Sequence, residues 1–286
     1  MKVGCQMPFS DATPPAYIAE AGTVVEEAGF DSLWVPEHVV FFDAYESKYP
    51  YSEDGRLPGA PRSLLDPFSA LTFIAAVTSS IKLCTGVCLV PQRNPIYCAK
   101  QVADLDYLSS GRFEFGIGIG WLREEFEALG VPWPGRAKRL LECIDVMKTL
   151  WQDDISAYEG EFYQFKGAFQ NPKPVQTPHP PLIFGGESDA ALKRVATIGQ
   201  GWYGFNLTPD SFDQALEKLD NLLEAEGRSR DELLIYITPA PGSKSAADFK
   251  RFEASGAEQV ILPVFAATAD KLRDRANKTL DMVNAA

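Results

Sequence analysis

Few residues in this chain combine reactive chemistry with a placement that could use it. Only two histidines occur, His38 and His179. His38 follows Glu37 at the end of an apolar run, Ser-Leu-Trp-Val-Pro-Glu-His (32–38). An imidazole titrates near neutral pH and can give or take a proton. It can equally brace the loop that follows it. His179 lies in Thr-Pro-His-Pro-Pro (177–181), ahead of the next apolar run, and reads as structural.

Two glycine-bearing stretches join His38 as candidates. In Phe-Glu-Phe-Gly-Ile-Gly-Ile-Gly-Trp (113–121) the residues alternate with period two, a strand pattern. Phe113, Phe115, Ile117 and Ile119 share one face; Glu114, Gly116, Gly118 and Gly120 share the other. Interior glycine marks a bend or a close approach by a ligand or another backbone. The sharper expectation is a flat object lying against the bare face. A dinucleotide turn is rejected, because that fingerprint is Gly-x-Gly-x-x-Gly opening a helix. The second stretch, Leu-Ile-Phe-Gly-Gly-Glu-Ser (182–188), runs strand, glycine pair, helix. Gly185 and Gly186 would let backbone approach a ligand, and a helix N-terminus favours an anion. It reads as a phosphate cradle, or as a tight turn with Ser188 as N-cap.

These residues need a scaffold, and the hydrophobic pattern supplies one. Apolar strand-like runs begin near Lys2, Ser32, Ile81, Phe113, Leu182, Trp202, Leu233 and Gln259. Each is followed by a helix-period segment, starting near Pro14, Asp66, Pro95, Arg136, Ser188, Pro209, Ser245 and Thr268. Alternation of this kind implies a parallel sheet. Eight units in 286 residues fit one α/β domain over 1–286, a (β/α)8 TIM barrel. A doubly wound sheet would leave the continuously apolar 260–265 run as an edge. Insertions are expected after strand two (39–65), after strand four, and after helix four (153–180), where Glu161–Phe165 could form one arm of a hairpin. Lys82 and Glu114, both inward at strand starts, are expected to pair near the barrel floor. Gly86 should line the interior beside Gly118. Cys84 and Cys88 read as packing residues.

Composition narrows the partners. A formal charge of −12 argues against a nucleic-acid surface. No apolar run approaches a membrane span, and the N-terminus is too polar and short for a signal peptide. Five cysteines without Cys-x-x-Cys spacing, and two histidines, make a metal site improbable. A reduced, cytoplasmic protein is expected.

Several stretches together carry a resemblance. They are Ala-Gly-Phe-Asp-Ser-Leu-Trp-Val-Pro-Glu-His (28–38), Arg-Asn-Pro with Ala-Lys-Gln-Val-Ala-Asp-Leu-Asp (93–106), Ser-Gly-Arg-Phe-Glu-Phe-Gly-Ile-Gly-Ile-Gly-Trp (110–121), Lys-Pro-Val-Gln (173–176) and Phe-Gly-Gly-Glu-Ser-Asp-Ala-Ala-Leu-Lys-Arg-Val-Ala (184–196). In their order and spacing the chain resembles the bacterial luciferase-like superfamily, and within it the coenzyme F420-dependent oxidoreductases. The resemblance implies a deazaflavin or flavin across the C-terminal mouth, stacked over strands three and four. A cis peptide and bulge are implied at Gly86–Val87. Gly185 and Gly186 would hold the cofactor phosphate, helped by Gly204 to Asn206. Glu37 and His38 match positions that contact ring and substrate. Hydride transfer follows, with His38 handling the accompanying proton and Glu37 positioning the ring or His38. Segment 39–65 would be a lid, with Tyr45, Tyr49 and Tyr51 as substrate contacts. Trp121 stands where sugar-phosphate oxidising members carry an acid, which points to an apolar or aromatic substrate wall or to a packing role. A homodimer is expected from the resemblance alone.

Three other readings compete. One is an FMN-dependent monooxygenase fed by a separate reductase. F420 adds an acidic tail, for which Lys193, Arg194 and Arg56 are the candidate basic path. Another is a cofactor-free barrel aldolase or isomerase, disfavoured because no lysine falls at a C-terminal strand end. The last is a non-catalytic flavin-binding protein.

Overall fold

The computed structural model describes residues 1–59 and 61–285, so Ala60 of the expected lid and Ala286 lie outside the described residues. In chain order the elements are β1 (Lys2–Gln6), α1 (Pro15–Ala28), β2 (Ser32–Val35), α2 (Pro67–Ala75), β3 (Lys82–Thr85), α3 (Pro95–Leu108), β4 (Phe113–Ile117), α4 (Arg123–Ala128), α5 (Arg136–Gln152), β5 (Ser156–Glu159), β6 (Gln164–Ala168), β7 (Leu182–Gly185), α6 (Asp189–Ile198), β8 (Gly201–Leu207), α7 (Pro209–Ala225), β9 (Leu234–Pro239), α8 (Ala246–Ala254), β10 (Gln259–Pro263) and α9 (Ala269–Asn284). Eight of the strands close in the order β1-β10-β9-β8-β7-β4-β3-β2, all parallel. This is the expected (β/α)8 barrel, with no free edge to protect.

Helix starts follow local capping chemistry. The Asp66 carboxylate accepts the Ser69 amide ahead of Pro67, and Asn94 accepts the Ile96 amide ahead of Pro95. Ser188, Thr208, Ser245 and Thr268 cap four later helices through their hydroxyls. Alternate strand residues then separate two cores. Outward positions such as Leu33, Phe113, Phe115, Trp202 and Val260 pack under the helices. Inward positions Trp34, Cys84, Ile183, Tyr203, Tyr236 and Ile261 fill the barrel.

Several boundaries differ from expectation, each for a local reason. β2 stops at Val35, since Pro36 has no amide to donate. β3 stops at Thr85, before a cis peptide bond between Gly86 and Val87; past it, Cys88 rejoins the sheet as a lone bridge to Ile117. β4 stops at Ile117, so Gly118 and Gly120 lie beyond it, in the βα loop. In the β5–β6 hairpin, residues 161–163 belong to the turn, because the Glu142 carboxylate gathers the amides of Glu161, Phe162 and Tyr163. Lys82 and Glu114 form no ion pair within 4.0 Å; the buried Glu114 carboxyl instead accepts from Tyr236 Oη at 3.1 Å and Cys84 Sγ at 3.7 Å. Its inward direction beside Cys84 is nevertheless as expected. Burial raises its pKa, with Lys82, Tyr236 and Cys84 opposing.

Candidate functional site

At the C-terminal mouth, His38 follows β2 and is held from both sides. Its Nδ1 lies 3.0 Å from Oε2 of Glu125, in α4, and its Nε2 accepts the Trp121 indole N–H at 3.3 Å. Nε2 is therefore the acceptor and Nδ1 carries the proton, donated to the carboxylate. Glu125 is fully buried and also accepts from Gln92 Nε2 (3.0 Å) and from the amides of Val39 (2.6 Å) and Val40 (3.3 Å). Burial opposes its charge, but the His38, Gln92 and Val39 hydrogen bonds outweigh burial and lower its pKa. The arrangement fixes the tautomer of the ring and leaves Nε2 paired with the Trp121 indole. Glu125 also fixes the start of the loop, the structural role considered for His38.

Glu37 is placed differently from expectation. Its carboxylate is buried and faces Arg93 and the Leu89 amide, not His38. Arg93 Nε donates to it at 2.7 Å, and the same guanidinium binds Asp66 (2.6 Å) and Gln101 (3.0 Å). Glu37 thus ties the loop after β3 to the start of α2.

Residues 39–59 lie across the mouth. Tyr45 and Tyr49 meet the Trp121 ring edge-on at 5.7 and 5.2 Å, and Tyr51 meets Phe205 at 4.9 Å. Polar ties hold both flanks. The amides of Glu46 and Ser47 donate to Glu124, at 2.6 and 3.1 Å. Tyr51 Oη donates to Glu187 at 3.0 Å, and Asn206 Nδ2 reaches the Tyr51 carbonyl at 3.4 Å. Burial, then the Glu187 charge, pushes the Tyr49 hydroxyl up to about 12. Arg56 stacks over Tyr45, 5.0 Å from its ring centroid, and belongs to this segment.

The bare face of 113–121 is occupied by the chain itself. A Cβ at Gly116 would overlap the Thr85 carbonyl oxygen; one at Gly118 would lie 2.5 Å from Val87 Cγ2; one at Gly120 would lie 2.7 Å from Phe126. Gly86 faces Trp34 instead of Gly118. Val87 is clasped by glycines of two further strand ends, since a Cβ at Gly185 would also fall 3.2 Å from its Cγ1.

The cradle stretch keeps its expected form. Gly186 has φ +104°, a left-handed conformation that suits glycine, and its carbonyl accepts the Trp202 indole at 3.0 Å. Ser188 caps α6, and the amides of Ser188, Asp189 and Ala190 have no protein acceptor among the described residues. Glu187 accepts the Phe205 amide at 2.8 Å, and burial raises its pKa. Gly204 does not open on the mouth, because a Cβ there would meet Leu207 and Trp202 of the outer layer. Asn206, at φ +59°, does lie at the mouth.

Elsewhere, all five cysteines are buried and free, and no cluster of three metal-ligating side chains occurs among the described residues. His179 is buried, Nδ1 sits 2.8 Å from the Pro180 carbonyl oxygen, and burial lowers its pKa. No helix among the described residues is long and apolar enough to cross a membrane. Sequence reasoning missed Glu125. For Glu125 a signal existed: Leu122, Phe126 and Leu129 recur at helical spacing within a segment read as loop.

A closed βα barrel whose polar side chains converge on the C-terminal strand ends is the architecture of a barrel enzyme. The chain belongs to the luciferase-like monooxygenase family, whose sequence profile matches residues 2–248. Members of this superfamily are flavin- or F420-dependent oxidoreductases and monooxygenases. An uncharacterized protein of Mycobacterium tuberculosis is 34% identical over 226 residues, covering 78% of this chain and 79% of that one. The 5,10-methylenetetrahydromethanopterin reductase of Archaeoglobus fulgidus is 28% identical over 263 residues, 92% of this chain and 70% of that protein. An FMNH2-dependent dimethylsulfone monooxygenase of Pseudomonas putida is 34% identical over 136 residues, 46% of this chain and 37% of that one. Among solved structures, an F420-dependent secondary alcohol dehydrogenase matches with a TM-score of 0.77 at 16% identity, over 99% of this chain and 98% of that one. The monooxygenase RslO1 from Streptomyces bottropensis matches at 0.76 and 19% identity, over 100% and 99%. At these identities the structural likeness speaks for the fold.

Proposed function

We propose that this protein is an oxidoreductase that moves a hydride between a deazaflavin of the F420 type and a small organic substrate. The observation that carries the reading is His38, at the C-terminal end of β2, held as the Nδ1–H tautomer by Glu125 with Nε2 paired to the Trp121 indole. The free amides opening α6, beside Gly185 and Gly186, fit a phosphate-bearing cofactor. The bound ring would supply or accept the hydride at its C5 carbon. Val87, backed by Gly118 and Gly185, would be the surface beneath that ring, with Gly86, Gly120 and Asn206 shaping its surroundings.

This chain's own part is orientation, proton handling and water exclusion. For alcohol oxidation, His38 Nε2 takes the hydroxyl proton as the carbinol hydride leaves; for carbonyl reduction it returns that proton to the oxygen. The Trp121 indole now donating to Nε2 yields its place to the substrate hydroxyl. Glu125 stabilises the imidazolium that forms. Glu37 is a positioning residue, acting through Arg93 and the Leu89 amide. Tyr45, Tyr49 and Trp121 supply an aromatic wall suited to an uncharged substrate, and the segment carrying the tyrosines acts as a lid.

A second reading, an FMN-dependent monooxygenase supplied by a separate reductase, draws on the likeness to the dimethylsulfone enzyme. The same cradle would serve FMN. Titration with F420 and with FMN, followed by ring fluorescence, separates the two. Tight binding of F420 with weak binding of FMN is expected. Preference for FMN transfers the assignment to the monooxygenase. Binding of either cofactor without turnover in any oxidoreductase assay, and no effect of His38→Ala, would leave a flavin-binding protein.

A further inference from the structure

One short stretch of chain holds both ring nitrogens of His38. Trp121 donates to Nε2 at 3.3 Å, and Glu125, one helical turn later, takes Nδ1 at 3.0 Å. Gly120, at φ +80°, turns the chain just before Trp121, and α4 then carries Glu125. The two contacts differ in kind. Glu125 is buried and fastened by Gln92 and two backbone amides, so it belongs to the scaffold. Trp121 is half-buried, and its ring stands edge-on to the imidazole, 79° between planes. The other aromatic rings that pack on it, Tyr45 and Tyr49, come from the lid, at 5.7 and 5.2 Å.

The lid is fastened to that same stretch. Ser47 Oγ accepts the Arg123 amide at 2.9 Å, and Glu124 accepts the amides of Glu46 and Ser47. Both tyrosines are braced within the lid. Tyr45 Oη accepts the Leu57 amide at 3.0 Å, and the Tyr49 amide donates to the Gly55 carbonyl at 2.8 Å. Residues 121–125 therefore connect the lid to the imidazole, and the link to Nε2 is the Trp121 indole.

That link imposes a condition on any ligand of His38. In this tautomer Nε2 offers one lone pair. While it accepts the indole hydrogen, it can neither accept from a ligand nor take a ligand's proton. A ligand that displaces the indole must bring a donor hydrogen of its own, as a hydroxyl does. A ligand with acceptors alone leaves both Nε2 and the indole N–H without a partner, which is costly away from water.

We propose that Trp121 is a lid-held cap on His38. It occupies the Nε2 lone pair until a ligand displaces it, it is kept there by Tyr45 and Tyr49 packing on its ring, and it selects for ligands that donate a hydrogen bond to that nitrogen. Trp121 is thus a positioning residue that acts through His38. That the capped nitrogen handles a proton in turnover rests on the oxidoreductase reading; the cap itself does not.

The test has two arms, and the first reads His38 directly in flavin-free protein. With two histidines in the chain, the ring nitrogens of isotope-labelled histidine are assignable by NMR. Diethyl pyrocarbonate, which acylates an unprotonated imidazole nitrogen, reports access to Nε2 by peptide mapping. Trp121→Phe keeps an aromatic ring and deletes the donor. The His38 Nε2 resonance should move toward that of an unpaired imine nitrogen, and acylation of His38 should speed up about tenfold, the worth of one hydrogen bond. Buried His179 is the internal reference and should change in neither measurement. The double variant Tyr45→Ala/Tyr49→Ala should give the same changes in smaller measure with Trp121 in place. An unmoved resonance in Trp121→Phe overturns the cap, even if acylation is faster, because that result marks lost shielding alone. A change in Trp121→Phe with none in the tyrosine variant overturns control by the lid. Should Trp121→Phe misfold, solvent exchange of the Trp121 indole hydrogen decides: His38→Ala should speed it, and equal exchange overturns the cap.

In the second arm, simple alcohols are turned over with whichever of F420 and FMN binds. Trp121→Phe should lower KM, since the substrate no longer competes with the indole; loss of a mere wall contact would raise it. A KM that stays or rises overturns the selective role. If the wild type turns over no alcohol with either cofactor, the oxidoreductase reading fails while the resonance and acylation measurements still decide the cap.

Discussion

Glu125 Oε2 lies 3.0 Å from Nδ1 of His38, although the two residues are 87 positions apart. The contact joins the only histidine at the barrel mouth to a short helix in the β4–α5 connection. It sets which imidazole nitrogen carries the proton. With Trp121 donating to Nε2, the ring has one defined tautomer and one defined orientation.

Glu125→Gln should cut turnover while leaving cofactor affinity intact. His38→Ala should lower kcat by about a hundredfold or more, the usual worth of a positioned acid–base group. Glu125→Gln should lose less and shift the pH profile of kcat, because the imidazolium would lack its counter-charge. A profile identical to wild type would remove Glu125 from the mechanism.

The same carboxylate should make the protein acid-sensitive. Its pKa is lowered in the folded state. Its stabilising contribution is therefore complete above the unfolded value of about 4.3 and is lost as pH falls through the folded value. Glu125→Ala should cost about 2–4 kcal/mol at pH 7, since it strands several buried donors. Urea unfolding at pH 7 and pH 4 should show the gap between variant and wild type narrowing on acidification.

Glu187 has the opposite sign. Burial raises its pKa. Ionising it in the folded protein costs stability, so its contribution is most favourable below about 4.3 and declines as pH rises toward the raised folded value. Glu187→Gln should remove that slope in unfolding titrations between about pH 4 and 7. Tyr51→Phe, which deletes the donor to Glu187, should speed hydrogen exchange in residues 45–57 and leave the melting temperature nearly unchanged. Unchanged exchange there would mean that this bond does not hold the lid.

Arg93→Met should destabilise the protein by about 3–5 kcal/mol, because Glu37 would be left charged and buried. Combining it with Glu37→Gln should restore part of the loss. Glu37→Gln alone should affect the melting temperature more than kcat; the reverse result would return Glu37 to direct chemistry.

Gly118→Ala would press its new methyl on Val87, and Val87→Ala should relieve it. A double-mutant cycle on stability should give a coupling of about 1–2 kcal/mol. Gly116→Ala has no such remedy, because the obstacle is the Thr85 carbonyl, and it should fail to accumulate as folded protein.

Much of the scaffold was legible in the chain. Period-two runs such as Phe113–Ile117 and caps such as Asp66-Pro67 are local signals, and they placed all eight barrel strands and the helices that follow them. Glu37 and His38 were legible as strand-end candidates by the same means. Their partners were not. Glu37 binds Arg93, 56 positions away, and Tyr51 binds Glu187, 136 positions away. No periodicity within either segment encodes such a pairing.

By itself, then, the sequence determined a barrel of eight βα units, the strand end carrying His38, and a glycine pair opening a helix. Each follows from backbone preference and side-chain burial acting over a few residues. Only the tertiary structure decided that Val87, Phe126 and the Thr85 carbonyl fill the glycine face. It alone turned Glu37 toward Arg93 and brought Glu125 to His38. The physical reason is that buried carboxylates must find donors wherever the closed barrel brings them, and closure joins strand ends that are remote in the chain.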